Sequence, residues 1–253
     1  MRDRIVFITG ASSGIGEACA ELFAAAGSRL LLSARRVERL EQVARRIGEE
    51  HGVETHTLTM DVRDVGVVTR LLGDLPAEWS GIEVLVNNAG LARGFEPIPQ
   101  GDSRDWDEMI DTNVKGLLYV TRAVVPGMLE RDAGHVINIS SIAGDEIYPN
   151  GGAYCGTKAA VDAISRGLRM DIVGSAVRVT NIKPGMVETE FSEVRFHGDD
   201  ERAAQVYAGV TPLTATDVAD TVFYAATRPP HVNIDEITLK PVAQAWATIV
   251  ART

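Results

Sequence analysis

Short apolar runs recur along this chain, each followed by an amphipathic stretch of helical period, and within the runs polar and apolar residues do not alternate. IVFITG, EVLVNNAG and HVINIS are continuously apolar. Such runs suit parallel strands covered on both faces by their crossover helices. Strands are predicted at Arg4 to Thr9, Arg29 to Ser33, Glu54 to Met60, Glu83 to Asn87, His135 to Ser140 and Arg178 to Lys183, with a shorter one at Glu236 to Leu239. Helical patterns fill the gaps, among them Ile15 to Ala26, Arg104 to Glu130, Ala153 to Ile172 and Thr216 to Thr227. Regular alternation of strand and helix implies an α/β doubly wound parallel sheet, which binds ligands outside the carboxyl ends of its strands.

No Pro/Gly/Ser linker or composition break divides the 253 residues, so residues 1–253 are expected to form one domain. No apolar run approaches the roughly 20 residues that cross a bilayer. Met1-Arg2-Asp3-Arg4 passes straight into the first strand run, leaving no room for a cleaved secretory segment. A soluble protein of the cytoplasm is the expectation. The net charge of −10 opposes nucleic acid and anionic membranes as partners, so an anionic ligand needs a local cluster of cations. Cys19 and Cys155 are too few for a disulfide framework or a zinc cage, and no metal site is expected.

The first strand run ends in Thr9-Gly10-Ala11-Ser12-Ser13-Gly14-Ile15-Gly16, where a helix opens. Glycines here permit a sharp turn and close approach of the backbone to a diphosphate, which the unpaired N–H groups of the helix start attract. The residue that reads the adenosine ribose belongs about 20 positions further on, at the end of the second strand. That place reads Ser33-Ala34-Arg35-Arg36, with no carboxylate to hold two ribose hydroxyls but two guanidinium groups suited to a phosphate. The predicted cofactor is therefore NADP(H), with Arg35 ahead of Arg36. Asp61 and Val62 end the third strand, either beside an adenine ring or as a helix cap. Asn87-Asn88-Ala89-Gly90 ends the fourth, its small residues letting the backbone of Asn88, Ala89 and Gly90 come close to a ligand.

Tyr154 and Lys158 stand four residues apart in a helical pattern, on one face. A tyrosine acting as a base near neutral pH needs its pKa lowered by about three units, roughly 4 kcal/mol. An ammonium at about 4 Å and an effective dielectric near 20 supplies approximately that much. Ser140 and Ser141, after the fifth strand, each offer a hydroxyl to a substrate oxygen. Asn113 reads either as a helix-bending packing residue or as the holder of a water that links Lys158 to solvent.

TGASSGIG, NNAG, Asn113, Ser141, Tyr154/Lys158 and Pro184-Gly185 occur in the order and spacing of the short-chain dehydrogenase/reductase family, which the chain resembles over nearly its whole length. The resemblance implies a Rossmann-type sheet of about seven strands, usually in a homotetramer. It also implies that Tyr154 is the acid/base, that Lys158 binds ribose and lowers the tyrosine pKa, and that Asn113 supports a proton relay. It selects Ser141, thirteen residues before the tyrosine, as the group that orients substrate. After the sixth strand, Pro184, Gly185, Val187 and Thr189 correspond to the family's contacts with the cofactor carboxamide.

LPAEWSGIEVLVNNAGLARGFEP, AVRVTNIKPGMVETEFSEVRFHGDD and PPHVNIDEITLKPV resemble one branch, the NADP-dependent 3-hydroxy acid dehydrogenases. That likeness implies a small-molecule carboxylate such as serine or allo-threonine. Residues 191–207 are expected to form a substrate lid. A carboxylate needs a cation, and Arg195 is the first candidate, with Arg93 and His197 behind it, although Arg195 pairs equally well on paper with Glu193 or Asp199. A reductase for 3-oxoacyl groups on an acidic carrier is an alternative that needs a basic patch from Arg122, Arg131 and Arg166 or Arg169. A non-catalytic NADP-binding sensor is another. The tail, residues 241–253, is expected to pack on a neighbouring subunit or fray.

Overall fold

The apolar runs become parallel strands whose successive side chains feed two separate cores. In the computed structural model, which describes residues 1–253, seven strands pair in parallel in the order β3-β2-β1-β4-β5-β6-β7. They are β1 (Ile5–Thr9), β2 (Arg29–Ala34), β3 (Thr55–Thr59), β4 (Ile82–Asn87), β5 (Gly134–Ile139), β6 (Val177–Pro184) and β7 (Glu236–Leu239). Val6, Ile8, Leu30, Leu32, Val84 and Val86 enter the core on one face, while Ile5, Phe7, Leu31 and Leu85 enter the core on the other. Both parities of the central strands β1, β2, β4, β5 and β6 are buried, so no polar alternation is tolerated there, whereas the edge strands β3 and β7 keep exposed residues.

Helices α1 (Gly14–Ala25), α2 (Val37–His51) and α9 (Ala215–Ala226) cover the first face. In α2 the buried residues Leu40, Val43, Ala44 and Ile47 follow helical spacing, and Gly52 ends the helix in the left-handed region at φ 65°. The second face is covered by α3 (Val65–Gly73) and α5 (Leu117–Glu130), while Met109 of α4 (Ser103–Ile110), which leads into α5, belongs to a third cluster with Tyr154. The helix predicted from Arg104 to Glu130 is not continuous. A π-helical segment, Asp111–Gly116, separates α4 from α5. Its cause is tertiary: Asn113 spends its amide on the Leu91 backbone and Thr157, and a Cβ on Gly116 would lie 2.6 Å from the Val62 side chain. The wide turn accommodates both contacts.

The long helix α6 (Gly152–Asp171) follows β5, and two short helices, α7 (Phe191–Arg195) and α8 (Asp200–Tyr207), follow β6 at the mouth of the sheet's carboxyl edge. The tail neither frays nor extends away. β8 (Gln244–Trp246) and β9 (Ile249–Val250) form an antiparallel hairpin, and Arg252 donates to the carbonyls of Ala208 at 2.5 Å and Val206 at 3.1 Å, fastening the end of the chain to α8. No helix is long and apolar enough to cross a membrane.

Candidate active site

A cleft of about 840 Å³ runs along the carboxyl edge of the sheet, from the end of β2 to α7 and α8. At one end the turn after β1 takes the left-handed region at Gly10 (φ 67°) and Gly14 (φ 57°). Gly16 is required for a different reason: a Cβ there would stand 2.4 Å from the Gly10 carbonyl oxygen. Asn88 locks this turn to the end of β4, its amide donating to the carbonyls of Thr9 at 2.9 Å and Gly10 at 3.2 Å. Thr9 Oγ1 accepts from the backbone N–H of Asn88 and of Ala89, so the glycine turn and the Asn88-Ala89-Gly90 segment form one piece. The N-cap residue of α1, Ser13, makes no side-chain cap, because its hydroxyl accepts from Arg36 at 2.6 Å. Together with Ser12 and Ile15, this leaves first-turn N–H groups on a cleft wall that fits a diphosphate.

Arg35 and Arg36 both line the cleft. Arg36 fans across Ser12 (3.2 and 3.3 Å) and reaches Glu190 at 2.9 Å, and Arg39, one turn further into α2, meets the same carboxylate at 2.5 Å. Burial works against ionisation of Glu190, but its bonds to Arg39 and Arg36 outweigh this and hold the carboxyl below its ordinary range. Arg35 lies 3.6 Å from Glu108. Asp61 is gripped by Arg63 at 2.6 Å, and the cap of α3 is Asp64 instead, which accepts from Val67 N. Val62 is buried against Gly116.

Ser141 and Ser140 point to different neighbours. The Ser140 hydroxyl is buried and donates to Asp162 at 2.6 Å, whereas Ser141 Oγ accepts from Ala143 N at 3.1 Å and donates to the Pro184 carbonyl at 3.4 Å. Tyr154 and Lys158 are both buried on the same face of α6. The lysine is anchored to the end of β5. Its Nζ donates to the Ile139 carbonyl at 2.9 Å and lies 5.8 Å from the Tyr154 ring centroid. Burial dominates both groups: it pushes the Tyr154 phenol well above its ordinary value, with Tyr148 adding to it and the Arg195 charge and the Ser141 hydroxyl opposing it, and it pulls Lys158 down to about 8. Asn113 supplies packing, with Oδ1 2.8 Å from Leu91 N and the amide 2.8 Å from Leu91 O and 3.0 Å from Thr157.

Beyond Tyr154 the cleft closes over Arg195. Its guanidinium carbon lies 4.9 Å from the Tyr154 ring centroid, 5.3 Å from Phe191, 5.9 Å from Tyr148 and 6.0 Å from Phe95. One Nη donates to the Tyr148 hydroxyl at 2.9 Å, but Nε is buried without a partner. The pairing with Glu193 or Asp199 does not occur; Asp199 caps α8. Arg93 is committed, to Glu108 at 2.7 Å and the Val194 carbonyl at 2.5 Å. His197 pairs with Asp105 at 3.2 Å and is not among the cleft residues.

Pro184, Gly185, Val187 and Thr189 form the wall facing the glycine turn. Gln244 from the tail fixes it by accepting from Met186 N at 2.9 Å, and Tyr207 donates to the Val187 carbonyl at 2.8 Å. The aromatic residues around Arg195, the Glu190 carboxylate and the tail's contribution were not read from the sequence. For Arg39 a signal existed, its i,i+3 spacing from Arg36.

Residues 4–200 match the short chain dehydrogenase family. An NADP-dependent 3-hydroxy acid dehydrogenase of Salmonella typhi is 48% identical over 96% of this chain and 97% of its own length. A sulfoacetaldehyde reductase of Chromohalobacter salexigens is 45% identical over 96% of each chain. Among solved structures, the closed form of a serine dehydrogenase complexed with NADP⁺ superposes with a TM-score of 0.92, at 46% identity over 98% of this chain and 99% of that one. The family match over residues 4–200 and the near full-length relatives show that the chain belongs to the short chain dehydrogenase family.

Proposed function

We propose that the protein is an NADP-dependent dehydrogenase acting on the C3 hydroxyl or carbonyl of small 3-hydroxy acids. The observation that carries this reading is Arg195: a half-buried guanidinium with an orphaned Nε and no carboxylate partner, held by aromatic faces beside the Tyr154 ring. An unpaired buried donor is costly, and a substrate anion satisfies it. The uncapped start of α1 and the Arg35–Arg36 pair suit a dinucleotide carrying a ribose phosphate. When bound, that cofactor supplies the hydride acceptor or donor and, when oxidised, a positive charge.

The protein's own residues do the rest. Arg195 binds the acid group and sets the distance of C3 from Tyr154. Ser141, fixed by Ala143 N, orients the substrate oxygen. Because burial holds Tyr154 protonated, it stands ready to give a proton to a carbonyl oxygen; taking one from an alcohol requires added positive charge, part of which Arg195 supplies. Lys158, its pKa drawn down to about 8 by burial but still mostly charged near neutral pH, anchors the ribose side through its place at the Ile139 carbonyl. Asn113 keeps the Leu91 backbone and Thr157 in register with it. Helices α7 and α8, strapped by Arg252, act as the lid. Oxidation of serine in this way gives aminomalonate semialdehyde.

The guanidinium recognises charge and donor geometry rather than carbon, so a sulfonate fits as a carboxylate does, in keeping with the sulfoacetaldehyde reductase relative. The carrier-protein alternative loses support: Arg131 is bonded to the Ile82 carbonyl, Arg166 to Glu236 and Arg169 to the Val179 and Asp235 carbonyls. A homotetramer in the cytoplasm belongs to the same reading and is checked by sedimentation and fractionation. The deciding experiment is a spectrophotometric panel of serine, both threonine diastereomers, 3-hydroxyisobutyrate, 3-hydroxypropionate and sulfoacetaldehyde with NADP(H) and NAD(H). Turnover of the acids with NADP(H) is expected; equal turnover of uncharged alcohols sinks the reading.

A further inference from the structure

We propose that Asp162 is a positioning residue for this reaction, a single buried carboxylate that ties together the three elements carrying Ser141, Lys158 and Pro184-Gly185 and presents its charge toward Lys158 from one helical turn away. The proposal rests on the roles given above to Ser141, Tyr154 and Lys158, and adds a residue that none of the sequence motifs contains.

Asp162 is only 2% exposed on α6. Its Oδ1 accepts from Ser140 Oγ at 2.6 Å and from the Asn181 amide at 2.7 Å, and Lys183 Nζ lies 3.0 Å from Oδ2. Ser140 immediately precedes Ser141 at the end of β5, and Lys183 immediately precedes Pro184 at the end of β6. The turn after Ser141 rests on the same carboxylate: a Cβ on Gly144 would lie 2.3 Å from Oδ2. One side chain therefore fixes where the serine turn and the Pro184-Gly185 wall stand relative to the helix that bears Tyr154 and Lys158. Stability alone does not account for it, since buried ion pairs are commonly replaced by apolar residues without loss.

The charge has a second consequence. The ionisable groups around Lys158 are Tyr154 and Asp162 on its own helix and Lys183 on β6. Lys183 is shared among Asp162, Asp145 beyond the serine turn and Glu236 on β7. The π segment offers the neutral amide of Asn113, its charges Asp111 and Lys115 being paired with each other, while β5 offers only the Ile139 carbonyl. On α4, Asp105 is paired with His197, and Glu108 with Arg93. Asp162 is thus the group that opposes the effect of burial on Lys158.

The chain has four lysines, Lys115, Lys158, Lys183 and Lys240, so lysine labelled with ¹³C at Cε gives a spectrum simple enough to titrate, with Lys158→Met assigning its signal. In Asp162→Asn, which keeps size and an acceptor for Ser140 and Asn181, the Lys158 signal is expected to titrate lower by about half a pH unit or more. The alkaline loss of kcat moves down with it. Asp162→Asn/Lys183→Met, which leaves neither charge buried, gives the same direction and covers the case in which the single variant does not fold. A folded variant whose Lys158 titration is unchanged overturns the proposal, whatever its turnover. The titration needs no substrate, so it is separable from failure of the 3-hydroxy acid reading, which shows instead as absent turnover in the unsubstituted protein.

Discussion

The two ends of the cleft both present arginine, but they neutralise it in opposite ways. At the β2 end, Arg36 and Arg39 share the partly exposed carboxylate of Glu190, and Arg35 and Arg63 face Glu108. At the α7 end, Arg195 has aromatic faces and one phenol hydroxyl, with no acid at all. An anion arriving at the first end must displace a carboxylate, so its gain is a difference between two ion pairs. An anion arriving at the second fills an orphaned donor in a partly dehydrated cage, where each charge-assisted bond counts for more. On the proposed reading, the end that takes the cofactor exchanges one anion for another, and the end that takes the substrate selects.

The largest effect tests what lies between the ends. Tyr154→Phe should lower kcat by about 10³-fold while binding of NADPH and of a carboxylate inhibitor persists, because general acid–base contributions run to about 10²–10⁴. Retained turnover would show that the cleft binds without this chemistry. Next, Arg195→Met should reduce kcat/KM for 3-hydroxy acids by roughly 100-fold and leave cofactor affinity alone, as losing one partner of a buried charged pair costs about 2–5 kcal/mol; an unchanged KM would erase the contrast between the ends. Arg36→Ala should weaken NADP⁺ by about tenfold without touching acid KM, and Glu190→Gln should tighten it severalfold by removing the competing carboxylate. Calorimetric titration checks both signs.

The smallest effect lies outside the cleft. His135 is buried, its Nε2 donating to Thr180 Oγ1 at 2.8 Å, while Nδ1 has no partner, and burial holds its pKa at about 3. The unfolded chain binds a proton near the ordinary histidine value and the folded chain does not, so stability falls as pH drops from about 6.5 toward 3, by about 1 kcal/mol over the first unit. Denaturant midpoints at pH 7 and 5.5 should show this slope, and His135→Gln should flatten it while both arginine ends keep their charge.

Elements whose signal is local were legible in the chain. Continuous apolar runs marked the parallel strands because both residue parities are buried, and TGASSGIG marked the turn because Gly10, Gly14 and Gly16 meet backbone limits within a few residues. The break in the helix at Asn113 was hidden, since it arises from Leu91, Thr157 and Val62, all remote in sequence. Arg195 stood first among three candidate cations, but the chain could not show that Arg93 and His197 are spent on acids while Arg195 is not.

The sequence by itself determined the order of strand and helix, the glycine turn, and the helical face shared by Tyr154 and Lys158, because periodicity and φ constraints act between near neighbours. Tertiary structure alone decided which arginine is left without an acid, how far Lys158 stands from the phenol, and that Asp162 collects donors from two strands. Those outcomes depend on burial and on distances between segments folded together from far apart, and in a medium of low dielectric such distances govern the energy of a charge.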